Sequence, residues 1–210
     1  MRKLSESIWS DMQDRSAGDV VRKEDEITTN EELQKKILEL YIEQGEGETL
    51  DVSSLTNCIK CDDFSNIFSG YVRVKYIIGL EDWDVSNVKD MRCMFYNCKY
   101  FNSNLSKWDV SNVKNMDSMF WGCKNFNSDL SKWNVSNVEN THNMFYNCKT
   151  FKSDLSKWNV SNVENMYCMF WGCINFNSDL SKWNVSNVKN IHGMFSGCQS
   201  LGQLPSWYMN

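Results

Sequence analysis

Proline and histidine are almost missing from this sequence. Among 210 residues there is one proline, Pro205, and the only histidines are His142 and His192. Glycine is modest at 10 residues, while 41% of the residues are hydrophobic. Disordered chains are typically rich in Pro and Gly and poor in apolar side chains. The composition therefore excludes disorder over most of the chain and predicts a packed core.

Long apolar runs and clustered basic residues are also missing. No segment is apolar for long enough to form the core of a signal peptide or to span a bilayer. The formal net charge is -5 at pH 7, whereas nucleic-acid binding requires clustered Lys and Arg that replace phosphate counterions. We therefore expect a cytoplasmic protein that neither inserts into membranes nor binds nucleic acid. The alternatives are association with a virion, or display at a cell surface by an export route without a recognisable signal.

One block of sequence recurs every 25 residues, and a tryptophan marks each copy: Trp83, Trp108, Trp133, Trp158 and Trp183. The shared pattern is W-[DN]-V-S-N-V-x-[ND]-x-x-x-M-F-x-x-C-x-x-F-x-S-x-L-S-K. Fixed periods of roughly 20 to 50 residues are typical of solenoids and propellers. Because this period is too short for a four-stranded propeller blade, it predicts one coil of a leucine-rich-repeat-like solenoid.

The spacing within a coil predicts one short strand and one short helix or turn. Leu105, Trp108 and Val110 have the L-x-x-L-x-L spacing of a strand with one buried side. The next apolar residues recur three or four positions apart, the period of a helix: Val113, Met116, Met119, Phe120 and Cys123. We therefore predict an α/β solenoid with a stack of parallel strands. Identical residues of successive coils should form ladders, among them an Asn ladder that bonds to the backbone of adjacent coils.

A serine is placed to cap the predicted helix of each coil. Ser111 is the first of these, and two copies complete an S-x-x-E capping box, Ser136 with Glu139 and Ser161 with Glu164. These pairs support the helix prediction.

The repeat resembles the BspA-like leucine-rich repeat superfamily, and specifically its short bacterial surface-protein repeat W-[DN]-V-S-N-V-x-x-M-x-x-M-F-x-x-C-x-x-F. The resemblance covers residues 80–207. It implies a right-handed solenoid and a role in adhesion or protein binding. Many members of the superfamily are exported surface proteins, so the resemblance also keeps surface display open.

The ends of the chain differ from the repeats and divide it into three parts. Residues 1–26 form a polar leader, which we read as a docking segment or as an extension lying on the neighbouring cap. Residues 27–82 combine a predicted helix over 29–44 with a degenerate first coil, in which 50–55 and 67–70 mimic parts of the repeat. Residues 83–207 form the five-repeat array, whose last copy decays after Cys198 and closes with Pro205.

The nine cysteines do not form an obvious pairing scheme. Their number is odd, and five of them hold one repeat position: Cys98, Cys123, Cys148, Cys173 and Cys198. We interpret these as reduced, buried, small apolar side chains. Cys58 and Cys61 form a single C-x-x-C, which favours structural thiols over zinc because zinc sites usually need a second pair.

Catalytic arrangements are not evident, so we expect neither an enzyme nor a bound cofactor. His142 and His192 share one repeat position two coils apart, and the sequence has no Gly-rich phosphate loop and no Ser-His-Asp arrangement to propose. The carboxylates Asp129, Asp154 and Asp179 recur in register, which is typical of turn residues.

Two stripes of residues are candidates for binding a partner. The first follows the buried Phe of each coil and consists of Tyr96, Trp121, Tyr146 and Trp171. The second is the outward side of the predicted strands and consists of Lys107, Lys132, Lys157 and Lys182 with Asp109, Asn134, Asn159 and Asn184. The competing interpretations are that the rings seal the convex edge of the core and that the second stripe is a solvated face.

One further repeat position varies between the coils and holds Arg92, Asp117, His142, Tyr167 and His192. Such variation in a rigid frame suits adaptation to one partner, and drift explains it equally well. The leading functional hypothesis is a protein-binding solenoid, one form of which is a phage or mobile-element accessory protein that engages a host or virion protein. The alternative is a bacterial surface adhesin that binds host protein or glycan.

Overall fold

The computed structural model describes residues 26–57 and 59–208. Regular secondary structure is concentrated before the array. Helix α1 spans Asn30–Glu43, strand β1 spans Thr49–Asp51 and strand β2 spans Tyr76–Ile78. The two strands pair in parallel with Leu50 opposite Ile77. Short 3-10 turns occupy Ser53–Leu55, Leu80–Asp82 and Ser206–Tyr208.

Helix α1 has the bounds that its sequence predicts. Thr29 is the N-cap residue and forms a capping box with Glu32, while Gln44 ends the helix ahead of Gly45, whose φ is 84°. Leu33 and Ile37 are fully buried against the first coil. The helix therefore covers the start of the array, as a solenoid cap must.

The coils of the array are built from turns rather than from a strand and a helix. Over residues 83–205, which the structure describes without a gap, consecutive turns alternate with short extended segments. The predicted strand at 105–110 is therefore wrong, and of the predicted helix or turn at 113–123 the structure has the turn. Parallel pairing between coils is reduced to single bridges, such as Asn115 with Asn140 and Asn140 with Asn165.

The coils lack regular strands and helices because alternate amide groups point in different directions. In the second half of a coil, every second N–H donates to the next coil: Met91 to Asn115, Cys93 to Asp117, Phe95 to Met119 and Asn97 to Trp121. The N–H groups between them donate within their own coil, as Met94 does to Met91 and Tyr96 to Cys93. Neither an α-helix nor a strand has this pattern, which divides the hydrogen bonds between neighbouring coils and local turns.

Two left-handed residues in each coil produce this pattern. In successive coils they are Asn66 and Gly70, Cys93 and Asn97, Ser118 and Gly122, Asn143 and Asn147, Cys168 and Gly172, Gly193 and Gly197. A positive φ interrupts a right-handed helix, and Gly and Asn tolerate it best. This conformation explains why the residue before each repeated Cys is Asn or Gly.

The predicted capping serines also have another role. The Ser111 N–H donates to Asp109 Oδ1 at 3.0 Å, and the Ser136 N–H donates to Asn134 Oδ1 at 3.1 Å, which are Asx turns rather than helix caps. Glu139 and Glu164 instead form ion pairs with lysines one coil away, Lys114 and Lys189.

Buried ladders hold the coils together. Phe95, Phe120, Phe145 and Phe170 stack with neighbouring ring centroids 5.5 to 5.6 Å apart, and Phe101 begins a second stack of this kind. From Trp108 onwards, the repeated tryptophan of each coil donates its indole N–H to a leucine carbonyl of the preceding coil, from Trp108 to Leu80 at 3.1 Å through to Trp207 to Leu180 at 2.9 Å. Trp207 thus occupies the tryptophan position of a further coil, although the last copy is one residue short.

Polar side chains satisfy the backbone groups that the bends leave unpaired. From Asn112 to Asn187, the Asn of each S-N-V segment donates to the preceding coil, as Asn112 does to the Ser86 carbonyl at 2.7 Å. This confirms the predicted Asn ladder. Buried serines form a second polar ladder, in which Ser128 Oγ accepts from the Leu105 N–H at 2.8 Å. Nearly every buried polar group is paired in this way, which a solenoid core requires.

Candidate interaction surfaces

The aromatic row predicted from the sequence forms one continuous stack. We use this name for Tyr96, Trp121, Tyr146 and Trp171. Neighbouring ring centroids lie 4.6, 5.4 and 6.1 Å apart, with interplanar angles of 9 to 12°. Because the rings face one another along the array, they present their edges to the solvent. The first three are half-buried, and Trp171 is 37% exposed.

The core does not depend on this row. The Phe immediately before each ring is buried and belongs to the inner stack, so its neighbour in sequence lies outside. The row ends at Trp171 because the next coil has Ser196 at this position. Gly193, which has no side chain, packs closely on this end of the row, since an added Cβ would lie 3.1 Å from Trp171 Cε3 and Cζ3. One indole face at this end is therefore not covered by another ring of the row.

The variable position forms a second, shorter stack beside the aromatic row. Tyr167 lies between His142 and His192, with ring centroids 5.3 and 6.0 Å away. His142 Nδ1 is 3.0 Å from Asp117 Oδ1, which also accepts from the Ser118 hydroxyl at 2.6 Å. The histidines are thus separated by a tyrosine, and the variable side chains join the same face as the aromatic row.

The second predicted stripe separates into two kinds of residue. Asp109, Asn134, Asn159 and Asn184 each accept the N–H of the serine two residues later, so the turns already require them. Lys107, Lys132, Lys157 and Lys182 are all exposed. We call these four residues the lysine column.

A shallow depression of about 480 Å³ lies beside the lysine column. Its lining mixes both signs of charge and includes Lys152, Asp154, Lys157, Asp179 and Lys182. Such a lining offers no strong field of one sign and no apolar pocket, so it is a weaker candidate for a partner than the aromatic row.

Four of the five repeated cysteines are buried, as the sequence predicts, whereas Cys198 in the last coil is half-buried. The Cys123 thiol donates to the Phe95 carbonyl at 3.0 Å, and Cys148 repeats this contact with Phe120. Burial raises the pKa of Cys98 to about 12 and that of Cys198 to about 11, and it raises the pKa values of the cysteines between them well above their ordinary range. These thiols therefore stay protonated near neutral pH, whereas nucleophilic cysteines require a thiolate.

The structure describes only one of the two cysteines of the C-x-x-C pair. Cys58 lies outside the described residues, whereas Cys61 is buried and its pKa is raised to about 11, mainly by desolvation. Among residues 26–57 and 59–208 there is no group of three or more His, Cys, Asp or Glu side chains arranged to hold a metal ion. Over the same residues, no helix has the length and apolar character needed to cross a membrane. The 1–26 leader lies almost wholly outside the described residues.

Comparison with protein families gives a match over the array. The family model of DUF285, described as Mycoplasma protein of unknown function, matches residues 62–171 and 136–210, which together are more than half of the chain. The chain belongs to this family. Membership of DUF285 supports the predicted relationship to BspA-like leucine-rich repeats in its broad form.

A solved structure of similar kind is a leucine-rich repeat protein from T. pallidum, TpLRR. The likeness covers 79% of this DUF285 chain and 83% of TpLRR, with 13% sequence identity and a TM-score of 0.36. No curated protein matches the chain.

Proposed function

We propose that this DUF285 protein is a non-catalytic repeat scaffold that binds another protein through its aromatic row. The observation that carries the proposal is that four large rings form a continuous, partly exposed stack that the inner Phe stacks do not need. Exposed aromatic side chains are enriched among the residues that dominate binding energy at protein interfaces. A rigid stack also loses little conformational entropy when a partner binds.

The ring orientation favours a protein partner over a glycan along most of the row. A sugar packs against the face of an aromatic ring, but the faces of Trp121 and Tyr146 are covered by their neighbours. Their edges are suited to contact the apolar and aromatic side chains of a protein, because edge-to-face packing is favourable. A phage or mobile-element accessory protein that engages a host or virion protein is one form of this proposal.

A surface adhesin is the second candidate, and Trp171 is the observation that favours it. Its outer face is not covered by a ring, and the residue is 37% exposed. A glycan would therefore contact the end of the row rather than its length.

Affinity capture from bacterial lysate tests the proposal. One variant replaces all four rings of the aromatic row by Ala, and the control variant replaces the lysine column by Gln. Both are first compared with the native protein by circular dichroism and thermal unfolding. We expect the aromatic variant to lose its partner by about 30-fold or more, as for a central hot spot, while the control retains it. Equal capture by all three proteins would contradict the role of the row.

A further inference from the structure

The two ends of the array differ in how they satisfy the backbone. At the first coil, carbonyl groups point away from the array, and helix α1 supplies donors for them. Asn30 Nδ2 donates to the Asp63 and Ser65 carbonyls at 3.0 and 2.9 Å, and Gln34 Nε2 donates to Ser65 at 3.2 Å. The acceptor end of the array is therefore capped.

The last coil leaves N–H donors, rather than carbonyl acceptors, at the end of the array. In every preceding coil, alternate amide groups donate to the next coil, ending with Met166 to Asn190, Cys168 to His192, Phe170 to Met194 and Gly172 to Ser196. The equivalent groups of the last coil have no acceptor among the described residues: Ile191, Gly193, Phe195 and Gly197. We call these four amide groups the terminal amide row.

The terminal amide row carries a partial positive charge. In the four peptide groups of each coil that form such a row, the carbonyl points towards the first coil and the N–H towards the last, whereas a smaller set, such as Lys114 to Lys89 and Glu139 to Lys114, has the opposite direction. Aligned peptide dipoles add, as they do in a helix, and their positive end is the end with free N–H groups. Chains of hydrogen bonds also polarise one another. The open end of the array is thus suited to oxygen atoms that bear negative charge.

The ionised side chains are also distributed unequally, with only basic residues at the end of the array that has the free amide groups. Residues 181–210 contain no Asp or Glu and two lysines, Lys182 and Lys189. Residues 26–65 contain ten acidic residues and three lysines. A chain with a net charge of -5 therefore has one basic end, and that end has the free amide groups.

We propose that the terminal amide row binds an acidic polypeptide segment of a partner protein, whose carboxylate and carbonyl oxygens accept from these N–H groups. The segment would continue the contact that each coil already makes with the next. Gly197 is exposed and Ile191 is half-buried, so both ends of the row are accessible. Gly193 and Phe195 are buried, so the segment would contact the row first at its two ends.

A second copy of the chain does not fit this end. Two terminal amide rows facing each other would place donors against donors, and the acceptor end of a second copy is covered by Asn30 and Gln34. The partner is therefore a different polypeptide. This site is separate from the middle of the aromatic row and does not rest on the proposed function.

Titration with a short synthetic peptide of alternating Asp and Gly tests the proposal, with an Asn-Gly peptide of equal length as the control. Amide hydrogen exchange measured by NMR should slow at Ile191 and Gly197 when the Asp-Gly peptide is added. Met166 and Gly172 should not change, because their N–H groups already bond to the last coil. Binding should weaken as salt is added.

The repeats provide a matched pair of variants. Lys189 pairs with Glu164 at 2.8 Å and stands two residues before the row, whereas Lys114 pairs with Glu139 at 3.2 Å at the same repeat position inside the array. Lys189→Ala should weaken peptide binding about fivefold, the effect of one screened surface charge, and Lys114→Ala should not.

Three outcomes would overturn the proposal. Exchange at Ile191 and Gly197 unaffected by the Asp-Gly peptide would remove the site, equal binding of the Asn-Gly peptide would remove the acidic specificity, and equal losses in both lysine variants would indicate diffuse charge attraction. The Trp121→Ala variant should bind the Asp-Gly peptide normally. Failure of the aromatic row in the capture experiment would therefore leave this result unaffected.

Discussion

The first coil, residues 49–82, and the interior coils, residues 83–182, reach stability by different routes. The first coil uses ordinary elements: helix α1 packs against it, and β1 pairs with β2. The interior coils lack such elements and depend on ladders that need a similar coil on each side. Trp83 shows the boundary, because its indole N–H is buried without a partner among the described residues, whereas Trp108 donates to Leu80. The stability of this protein thus depends mainly on the contacts between neighbouring coils.

The largest expected effect comes from breaking the inner stack. Phe120 lies between Phe95 and Phe145 and also contacts Phe126, whereas Phe68 stacks on one ladder ring, Phe95. Phe120→Ala should lower the free energy of unfolding by about 4 kcal/mol, because it leaves a cavity between two coils. Phe68→Ala should cost less. Equal losses in urea unfolding of the two variants would contradict the difference between the coils.

A left-handed glycine gives the next largest effect. Gly172 has φ 71°, and an added Cβ would overlap Asn147 Oδ1, whereas Gly70 has φ 81° and open space around it. Gly70→Ala should cost about 1 kcal/mol from backbone strain alone, and Gly172→Ala should cost more. Thermal unfolding compares the two variants. In the double variant, Asn147→Gly should restore the stability that Gly172→Ala loses beyond the loss in Gly70→Ala. If the effects of the two substitutions are simply additive, the Asn–Gly contact is unimportant.

A smaller effect separates the tryptophans. The Trp133 indole donates to the Leu105 carbonyl at 3.0 Å, while Trp83 has no such acceptor. Both side chains are equally buried, so replacement by Phe removes similar apolar area from each. Trp133→Phe should cost about 1 kcal/mol more than Trp83→Phe, the net contribution of one hydrogen bond. Urea unfolding measures the difference, which should vanish if the indole bonds are unimportant.

The smallest expected effect depends on pH. The serine N–H two residues later lowers the pKa values of Asp129, Asp154 and Asp179. A carboxyl group with a lowered pKa in the folded state stabilises that state above its unfolded pKa, about 3.9, and loses this contribution as the pH falls through the folded value. Replacement of all three by Asn, the residue that holds this repeat position at 104 and accepts from the Ser106 N–H, should flatten this part of the stability curve in acid. An unchanged curve would contradict the role of these turns.

The sequence predicts much of the array because one pattern is repeated. Agreement between copies identified the ladders, the buried cysteines, the first coil and the exposed ring that follows each buried Phe. The helix over 29–44 was also predictable, because Thr29, Glu32 and Gly45 are strong local signals.

The path of the backbone within a coil could not be predicted in the same way. The spacing of Met116, Met119 and Phe120 is helical, but the positive φ at Ser118 and Gly122 turns alternate amide groups towards the next coil. A serine in the sequence does not indicate a positive φ. The Asn and Gly residues four positions after it are the one signal in the sequence that could have identified it.

The terminal amide row could not be predicted from the sequence either. Backbone N–H groups occur at every residue except proline, and only their direction makes those of Ile191 and Gly197 distinctive. The decay of the last copy indicated where the array ends, but not which groups it leaves unpaired. The charge difference between the two ends was visible in the sequence and would have been the clue.

The alternation of Asn and Gly also sets the step by which such an array can lengthen. Asn97 lies beside Gly122, and Asn147 lies beside Gly172, so a coil with a side chain meets a coil without one. Loss of the coil that bears Gly122 would bring Asn97 and Asn147 together, whereas two glycines already lie side by side at Gly172 and Gly197. Removal or duplication of two coils at once preserves the pairing. Lengthening or shortening the array by whole coil pairs is therefore the change that keeps each Asn beside a Gly.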